Sequence, residues 1–394
     1  MDRRLYWIWL AQALPIGSGV VNKLLDAFPD IETIYTADKG AYLTAGISPK
    51  QLDGLCNKSL DTARKILMDV QALGGWVLTP DDAAYPMLLR QIDGTPAVLY
   101  GVGSMPNMNK IPALTMVGTR YPTEEGAQNA FVMAGAVAAA GVVIVSGGAV
   151  GIDRAAHEGA LAVGGKTVLV KAAPLEVEYP PKNTTLRRQI LENGGAIVTE
   201  FAPHTPYRCD FHVRNRLMAG MTMATCLGET PKASGALITA NLAREQGRDV
   251  FAIPAGVANS KNLGAHEQIR KGALLVANVD HILQEYAVRY AGLLDVEAAH
   301  QAEKTLRAHV LRKTEMPQEA IPTLRVADEM QTPPPEAASK DAKGLFTLLT
   351  RRPMPIDDIA AKAGMTIPEI LVLLTELELL GAVQCTAGQQ YCKT

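Results

Sequence analysis

Aromatic side chains, cysteines and long apolar runs are all scarce in this chain of 394 residues. Aromatic residues make up 5% of the sequence, so few binding sites can be lined mainly by aromatic rings. The five cysteines are dispersed and form no Cys-x-x-Cys pair, which argues against a disulfide framework and against structural zinc. No apolar run approaches the roughly 18 residues of a membrane-spanning helix. The short run after Arg3-Arg4 is interrupted too early for a signal peptide, so a cytoplasmic protein is expected.

A charge excess of either sign is also missing, because 38 lysines and arginines face 40 aspartates and glutamates. General nucleic-acid binders usually carry a basic domain, so any such site here must be a local cluster. The histidines show no His-Glu-x-x-His pattern, and no Gly-Lys-Ser/Thr follows a glycine-rich loop. Glu229, near Ser234, has no histidine at motif-like spacing. The sequence therefore predicts no metal site, no bound cofactor and no hydrolytic triad.

Residues 1–72 are predicted to form a module of short helices. The stretches 14–20 and 45–49 resemble the hairpins of a helix-hairpin-helix (SAM-like) unit, in which glycines free backbone amides at a helix start. Those amides either meet a DNA phosphate or serve only as turns in a module that touches no DNA. The second interpretation is favoured because neither hairpin is followed by the cluster of basic residues that duplex binding would need.

Residues 73–285 alternate short apolar runs with amphipathic stretches. Strand-length apolar runs occupy 113–117, 142–145, 167–170, 196–199, 224–227 and 250–253. Helical patterns occupy 124–140, 153–163 and 234–246. Apolar strands separated by helices indicate a parallel sheet that is covered on both faces. The expected fold class is therefore α/β, with a Rossmann-like, doubly wound parallel sheet whose ligands gather at the carboxyl ends of the strands.

The end of the chain is predicted to hold a linker and a third domain. Residues 286–340 lose the alternating pattern and contain Pro317, Pro322 and Pro333-Pro334-Pro335, which indicates an extended Pro-rich linker. Residues 341–394 show three helical segments and a terminal β-hairpin, the outline of a winged helix. The last helical segment, 367–380, carries three glutamates and no lysine or arginine. Because acidic charge repels phosphate, a protein-contact or regulatory role is favoured over DNA reading.

Two turns at the expected ligand end of the sheet are suited to phosphate. Gly118-Thr119-Arg120 follows the first core strand and offers a small residue, a hydroxyl group and a bidentate cation. Ser146-Gly147-Gly148-Ala149-Val150-Gly151-Ile152-Asp153 follows the second core strand and combines backbone amides with a helix start. Asp153 is interpreted as an N-terminal helix cap rather than as a catalytic acid.

A third segment brings three cations and one aromatic ring within nine residues. It contains Arg208, Phe211, Arg214 and Arg216. Arginine can grip phosphates while phenylalanine stacks a base, a combination that is suited to single-stranded nucleic acid. The alternative interpretation is an ion-paired helix start with Phe211 in the core.

In this order the motifs resemble those of the bacterial DNA-processing protein A (DprA, or Smf) family over nearly the whole chain. The similarity includes Tyr85-Pro86-Met87-Leu88-Leu89, Tyr179-Pro180-Pro181-Lys182-Asn183, Arg214-Asn215-Arg216-Leu217-Met218-Ala219-Gly220 and Val250-Phe251-Ala252-Ile253-Pro254. The resemblance implies a binder of single-stranded DNA, not an enzyme, that forms homodimers, protects incoming DNA and loads RecA recombinase in natural transformation. The DNA contacts that it implies are at Gly118, Thr119, Arg120, Ser146, Gly147, Arg208, Phe211, Arg214 and Arg216.

Three loops at the expected ligand end depart from the family pattern and leave room for a paralogue with altered binding. They are Lys171-Ala172-Ala173-Pro174-Leu175-Glu176, Pro254-Ala255-Gly256 and Gly264-Ala265-His266-Glu267-Gln268-Ile269. Two alternative functions belong to other classes. One is a nucleotide phosphoribohydrolase on a related sheet, although the Pro-Gly-Gly-x-Gly-Thr-x-x-Glu loop of such enzymes is absent here. The other is a regulatory module that binds a free nucleotide.

Overall fold

The computed structural model describes residues 2–206, 211–315, 334–335, 337–350, 354–386 and 390–393. It divides the chain into two compact units, Met1–Glu315 and Met316–Thr394. The first unit contains the N-terminal helices and the large sheet, and the second contains the C-terminal domain. Arg208 and the stretch 316–333 lie outside the described residues. Within the described ranges, no helix is long and apolar enough to cross a membrane.

The described N-terminal part contains six short helices. They are α1 (Arg4–Ala13), α2 (Val20–Ala27), α3 (Ile31–Thr36), α4 (Lys39–Thr44), α5 (Pro49–Cys56) and α6 (Asp61–Ala72). The side chains of Asp30 and Asp38 cap α3 and α4, and Ser48 opens α5 with a capping box. The apolar faces of these helices share one core that continues into Val98 and Tyr100 of the sheet domain. The module is therefore packed onto the sheet within one compact unit.

The described residues of the sheet domain form nine strands. They are β1 (Trp76–Leu78), β2 (Leu99–Gly103), β3 (Ala113–Val117), β4 (Val143–Ser146), β5 (Thr167–Val170), β6 (Ala196–Thr199), β7 (Ala224–Leu227), β8 (Asp249–Ala252) and β9 (Leu274–Leu275). Their order is β1-β2-β6-β5-β4-β3-β7-β8-β9, and all neighbours are parallel except the two pairs that β2 makes. The order reverses on either side of β3, which creates a crevice at the carboxyl ends of β3 and its neighbours.

Helices cover both faces of this sheet. They are α7 (Glu124–Ala139), α8 (Ile152–Ala162), α9 (Thr184–Glu192), α10 (Phe211–Met221), α11 (Ala236–Glu245), α12 (Leu263–Arg270) and α13 (Asp280–Ala287). Every residue of β3 to β7 is buried, as expected of a sheet with two covered faces. The predicted α/β class and doubly wound sheet are confirmed, and each of the six predicted strands lies within one residue of its expected bounds.

The extended linker predicted for 286–340 is wrong in its first half. A helix of 20 residues, α14 (Val296–Glu315), lies there and packs against α7. Ala299 and Leu306 are buried, and Leu306 lies against Gly135 of α7. The stretch before Pro317 contains no proline and is rich in good helix formers, so it adds a helix to the first unit.

The second unit is the predicted winged helix. It contains α15 (Lys340–Leu348), β10 (Met354–Pro355), α16 (Ile356–Ala363), α17 (Ile367–Leu379), β11 (Val383–Thr386) and β12 (Gln390–Lys393), and its strands are ordered β10-β12-β11. Two of the glutamates in α17 have partners within the unit. Glu369 forms a capping box with Thr366, and Glu376 accepts hydrogen bonds from the Ser339 N–H (2.5 Å) and hydroxyl group (2.8 Å). The outer side of α17 exposes Val372 (69%) and Leu379 (85%).

Candidate nucleic-acid interface

A cleft of about 580 Å³ lies at the carboxyl ends of β3 and β7, where the strand order reverses. It brings together five of the nine predicted contact residues: Gly118, Thr119, Arg120, Phe211 and Arg214. The other lining residues come from the turn after β3, the loop after β4, the starts of α8, α10 and α11 and the turn before α11, and they include Tyr121, Asp153 and Ser234. Arg120 is exposed at this cleft and Phe211 is half-buried. The cleft thus combines an exposed cation with an accessible aromatic ring.

The turn after β3 is held by its neighbours. A Cβ at Gly118 would lie 2.6 Å from the Ile152 side chain and 2.8 Å from the carbonyl oxygen of Glu229, so only glycine fits there. The Thr119 N–H donates to that Glu229 oxygen (2.8 Å), and the Ile152 N–H donates to the Thr119 oxygen (3.1 Å). The Thr119 amide is therefore already bonded within the protein, and the side chains of Thr119 and Arg120 are the groups of this turn that line the cleft.

Arg120 and Phe211 form one stack. The guanidinium carbon of Arg120 lies 4.7 Å from the centroid of the Phe211 ring, and that of Arg214 lies 5.9 Å away. The ring of Tyr179 lies 6.5 Å from the same ring. This is cation–π geometry, and it places the Phe211 ring in the wall of the cleft rather than in the core. Tyr179 contacts Phe211 from a segment that is distant in sequence, so the sequence alone did not indicate this contact.

Arg214 is buried and joins three segments. Its Nη1 donates to the Gly147 oxygen (2.6 Å) and to the Val170 oxygen (2.7 Å), and its Nε donates to Asn215 Oδ1 (3.1 Å). A Cβ on Gly147 would overlap the guanidinium group. Arg214 therefore ties α10 to the loops that follow β4 and β5, while one edge of it still lines the cleft.

The loop after β4 carries its own internal anion. The Gly147 and Ala149 N–H groups donate to Asp153 Oδ2 (3.2 and 3.4 Å). Burial raises the pKa of Asp153, and Arg214 together with these amides acts in the opposite direction. Asp153 thus binds the loop that precedes its helix, where a cap of α8 itself was expected. The Gly147 and Ala149 amides of the predicted phosphate cradle therefore bond a carboxylate of the protein, and Ala149 and Asp153 also line the cleft.

Ser146 and Arg216 are also placed away from the cleft. The Ser146 hydroxyl is fully buried and donates to the Met116 oxygen (2.6 Å). Arg216 pairs with Glu200 on the opposite side of α10, and both side chains are 9% exposed. Burial raises the pKa of Glu200, while Arg216 and the Gly17 N–H act against that rise. An amide of the hairpin 14–20 therefore faces a carboxylate of the protein, which accords with the interpretation that the hairpin touches no DNA.

Glu229 is a structural residue that the sequence alone left without a role. Its carboxylate accepts hydrogen bonds from the Thr123 N–H (2.9 Å), the Thr123 hydroxyl group and Asn259 Nδ2 (3.0 Å). Burial alone would raise the pKa of Glu229, but these hydrogen bonds outweigh it and leave the pKa below its ordinary value. The carboxylate is therefore ionised and engaged in bracing the start of α7, which does not suit a general acid.

The loop after β5, which departs from the family pattern, is organised by a buried lysine. Lys171 Nζ donates to the oxygens of Leu175 and Val177 (2.7 Å each). Burial, reinforced by Arg187, lowers the pKa of Lys171 to about 8. The lysine thereby organises the loop that leads to Tyr179, whose ring contacts Phe211. Across the described ranges, no group of three or more His, Cys, Asp or Glu side chains could hold a metal ion.

Comparison with known proteins connects this architecture to one family. The family model for DNA recombination-mediator protein A matches residues 76–287, and the model for the DprA winged helix domain matches residues 329–389. Protein Smf from Synechocystis sp. is 31% identical, and the match covers 98% of each chain. Protein Smf from Escherichia coli is 30% identical, with 79% of this chain and 76% of that protein covered.

A solved structure shows the same relationship. The X-ray structure of DNA processing protein A from Streptococcus pneumoniae is similar with a TM-score of 0.61 and 28% sequence identity. The match covers 72% of this chain and 98% of that one. Sequence, fold and domain order therefore agree, and the chain belongs to the DNA recombination-mediator protein A (DprA/Smf) family.

Proposed function

We propose that this protein binds single-stranded DNA across the cleft at the carboxyl ends of β3 and β7. The observation that carries the proposal is the stack of Arg120 on Phe211 at the mouth of that cleft. An arginine can neutralise a phosphate and an aromatic ring can stack a base of any kind, so the pair suits a strand of arbitrary sequence. The guanidinium group of Arg214 also lies near the Phe211 ring and is bonded to the protein, so Arg214 acts as a positioning residue.

The same cleft is better suited to binding than to catalysis. Asp153 and Glu229, the carboxylates nearest to it, accept hydrogen bonds that hold loops in place. A phosphoribohydrolase or a nucleotide-dependent regulator would need a free acid or a recognition loop for a single nucleotide. We therefore propose that the protein binds DNA and is not an enzyme.

The wider role that we propose is that of a mediator which protects single-stranded DNA and loads RecA recombinase in natural transformation. Membership of the recombination-mediator family supports this role. We also propose a homodimer. The exposed apolar side chains of Leu274 and Leu275 at the edge of the sheet support this proposal, because they are suited to contact with a second copy.

Fluorescence anisotropy with a labelled oligothymidine tests the central proposal. We expect tight binding of the single strand, weaker binding of duplex of the same length, and no displacement by ATP or AMP at equal concentration. The same preparation should show no hydrolysis of ATP or AMP. Equal affinity for duplex and single strand, or turnover that disappears in Arg120→Ala, would contradict the proposal.

The RecA step has its own assay. RecA nucleation on oligonucleotides coated with single-strand-binding protein should accelerate when the wild-type protein is added, and Arg120→Ala should remove the acceleration. A protein that binds single strands but leaves RecA nucleation unchanged would refute the loading role while the binding proposal stands.

A further inference from the structure

Tyr121 is a strongly exposed aromatic residue at the rim of the cleft. Its side chain is 77% exposed, although it lies next to Arg120 and lines the same cavity as Phe211. Isolated exposed apolar side chains are common and need no explanation. An exposed ring is more significant when the surrounding residues hold its backbone in place.

The backbone that carries Tyr121 is held at several points. The Tyr121 N–H donates to Thr119 Oγ1 (3.2 Å), and the Tyr121 oxygen accepts from Lys261 Nζ (2.9 Å). Glu229 holds both ends of the turn, through the Thr119 N–H (2.8 Å) and the Thr123 N–H (2.9 Å). Proline 122 restricts the backbone further by fixing its own φ angle. The ring is thus exposed on a preorganised turn, an arrangement that lowers the entropy cost of binding.

Lys261 places a cation at the backbone of Tyr121. An ammonium group has three N–H donors, and the bond to the Tyr121 oxygen uses one of them. The Lys261 N–H in turn donates to Asn259 Oδ1 (3.0 Å), and Asn259 also bonds Glu229. The exposed acids Glu124 and Glu125 in the first turn of α7 disfavour a phosphate on their side. A phosphate beside Tyr121 is therefore expected on the Lys261 side.

We propose that Tyr121 and Lys261 form a second nucleotide subsite on the same single strand. In this subsite the Tyr121 ring stacks a base and the free N–H donors of Lys261 bind the adjoining phosphate. Like the pair Arg120 and Phe211, the subsite combines one aromatic ring with one cation, although here the cation is bonded to the backbone of the aromatic residue. It rests on the proposed function, because it extends the track of the strand that enters the cleft.

Anisotropy titrations with oligothymidines of increasing length test the subsite. For oligonucleotides that span both rings, Tyr121→Ala should weaken binding by roughly 5- to 150-fold, the range for loss of one stacked base, and leave the salt slope unchanged. Tyr121→Phe keeps the ring and should bind like the wild type. Lys261→Ala should flatten the salt slope by about 0.7, the value for one lost phosphate contact. Lys271→Ala, an exposed lysine just after α12, is the matched control and should change nothing.

Photo-crosslinking of the wild type gives a second readout that does not depend on a variant folding. An oligothymidine with one 5-iodouracil should crosslink to the peptide that contains Tyr121, and mass spectrometry identifies that peptide. Normal binding by folded Tyr121→Ala and Lys261→Ala, or equal losses in Tyr121→Ala and Tyr121→Phe, would overturn the subsite. If Phe211→Ala weakens binding in the same series, the proposed function stands without it. A wild type that binds no single strand overturns both.

Discussion

At the scale of single residues, Arg120 and Phe211 form one unit, because the guanidinium group lies over the ring face on which a base would stack. A strand that stacks on Phe211 must share that face with Arg120 or displace it toward a phosphate. Arg120 and a stacked base therefore compete for the same face of the Phe211 ring, although both side chains belong to one binding site. Their substitutions should not be independent.

A double-mutant cycle on this pair measures that coupling. Arg120→Ala should weaken binding and flatten the salt slope by about 0.7. Phe211→Ala should cost about 1–3 kcal/mol and leave the slope nearly unchanged. We expect the double variant to differ from the sum of the two by roughly 0.5–3 kcal/mol, as is usual for side chains in contact. Anisotropy titrations with melting curves supply the numbers. Wild-type affinity in both folded single variants would place the site elsewhere on the sheet.

Arg216 should matter for stability rather than for DNA contact, because it forms a buried pair with Glu200. Arg216→Ala leaves a carboxylate buried without its cation, which typically costs about 3–5 kcal/mol. The pKa of Glu200 is raised, so its carboxyl group binds a proton more tightly in the folded protein than in the unfolded chain. The contribution of Glu200 to the free energy of unfolding therefore falls as pH rises through the pKa of the folded state. Removing Arg216 raises the pKa further.

Chemical denaturation at pH 5 and pH 8 therefore tests the role of Arg216. The loss of stability in Arg216→Ala should be greater at pH 8 than at pH 5, and Glu200→Gln in the same background should recover part of it at pH 8. A variant of wild-type stability that loses DNA affinity would show that Arg216 reaches the strand after all.

At the scale of elements, α10 serves two surfaces at once. Successive residues of a helix are about 100° apart, so Arg214 and Arg216 leave α10 about 200° apart. One holds the loops at the cleft, and the other meets the hairpin of the N-terminal module. The helix thereby connects the binding end of the sheet with the helical module through two buried arginines.

The winged helix should be dispensable for binding of single strands. It forms a compact unit with its own apolar core, and α17 presents no lysine or arginine to a phosphate. A protein truncated after residue 315 should bind oligothymidine with the affinity of the full chain. A truncated protein that melts like the first unit of the full chain yet binds no oligonucleotide would contradict this assignment.

At the scale of the whole molecule, the charge balance limits how strongly salt can act. The formal net charge is −2, so attraction of DNA depends on a few cations at the cleft and not on the general field of the protein. About three neutralised phosphates correspond to a salt slope of roughly −2 for single strands. Titrations between low and moderate salt give this slope directly. A slope steeper than about −5 would mean a much broader electrostatic surface than the cleft provides.

The sequence by itself determined six of the nine described strands of the large sheet, three of the seven helices α7 to α13, and the winged helix, because buried strands need continuous apolar runs and covering helices need a periodic apolar face. It also indicated the turn at Gly118, where any side chain would overlap the neighbouring strand end. Helix α14 was predictable from its local sequence, because 296–315 contains no proline and many good helix formers, but the prolines from Pro317 onward dominate the composition of 286–340. Only its packing against α7 required the tertiary structure.

Only the tertiary structure decided which polar groups are available to a ligand. The sequence alone does not distinguish the cations Arg120, Arg214 and Arg216. Packing leaves Arg120 exposed, bonds Arg214 to the Gly147 oxygen and buries Arg216 against Glu200. Likewise, the sequence after β4 suggests amides that suit a phosphate, but in the folded protein two of these amides donate to Asp153. The physical reason is that each buried polar group must find a partner, and those partners come from segments that are distant in sequence.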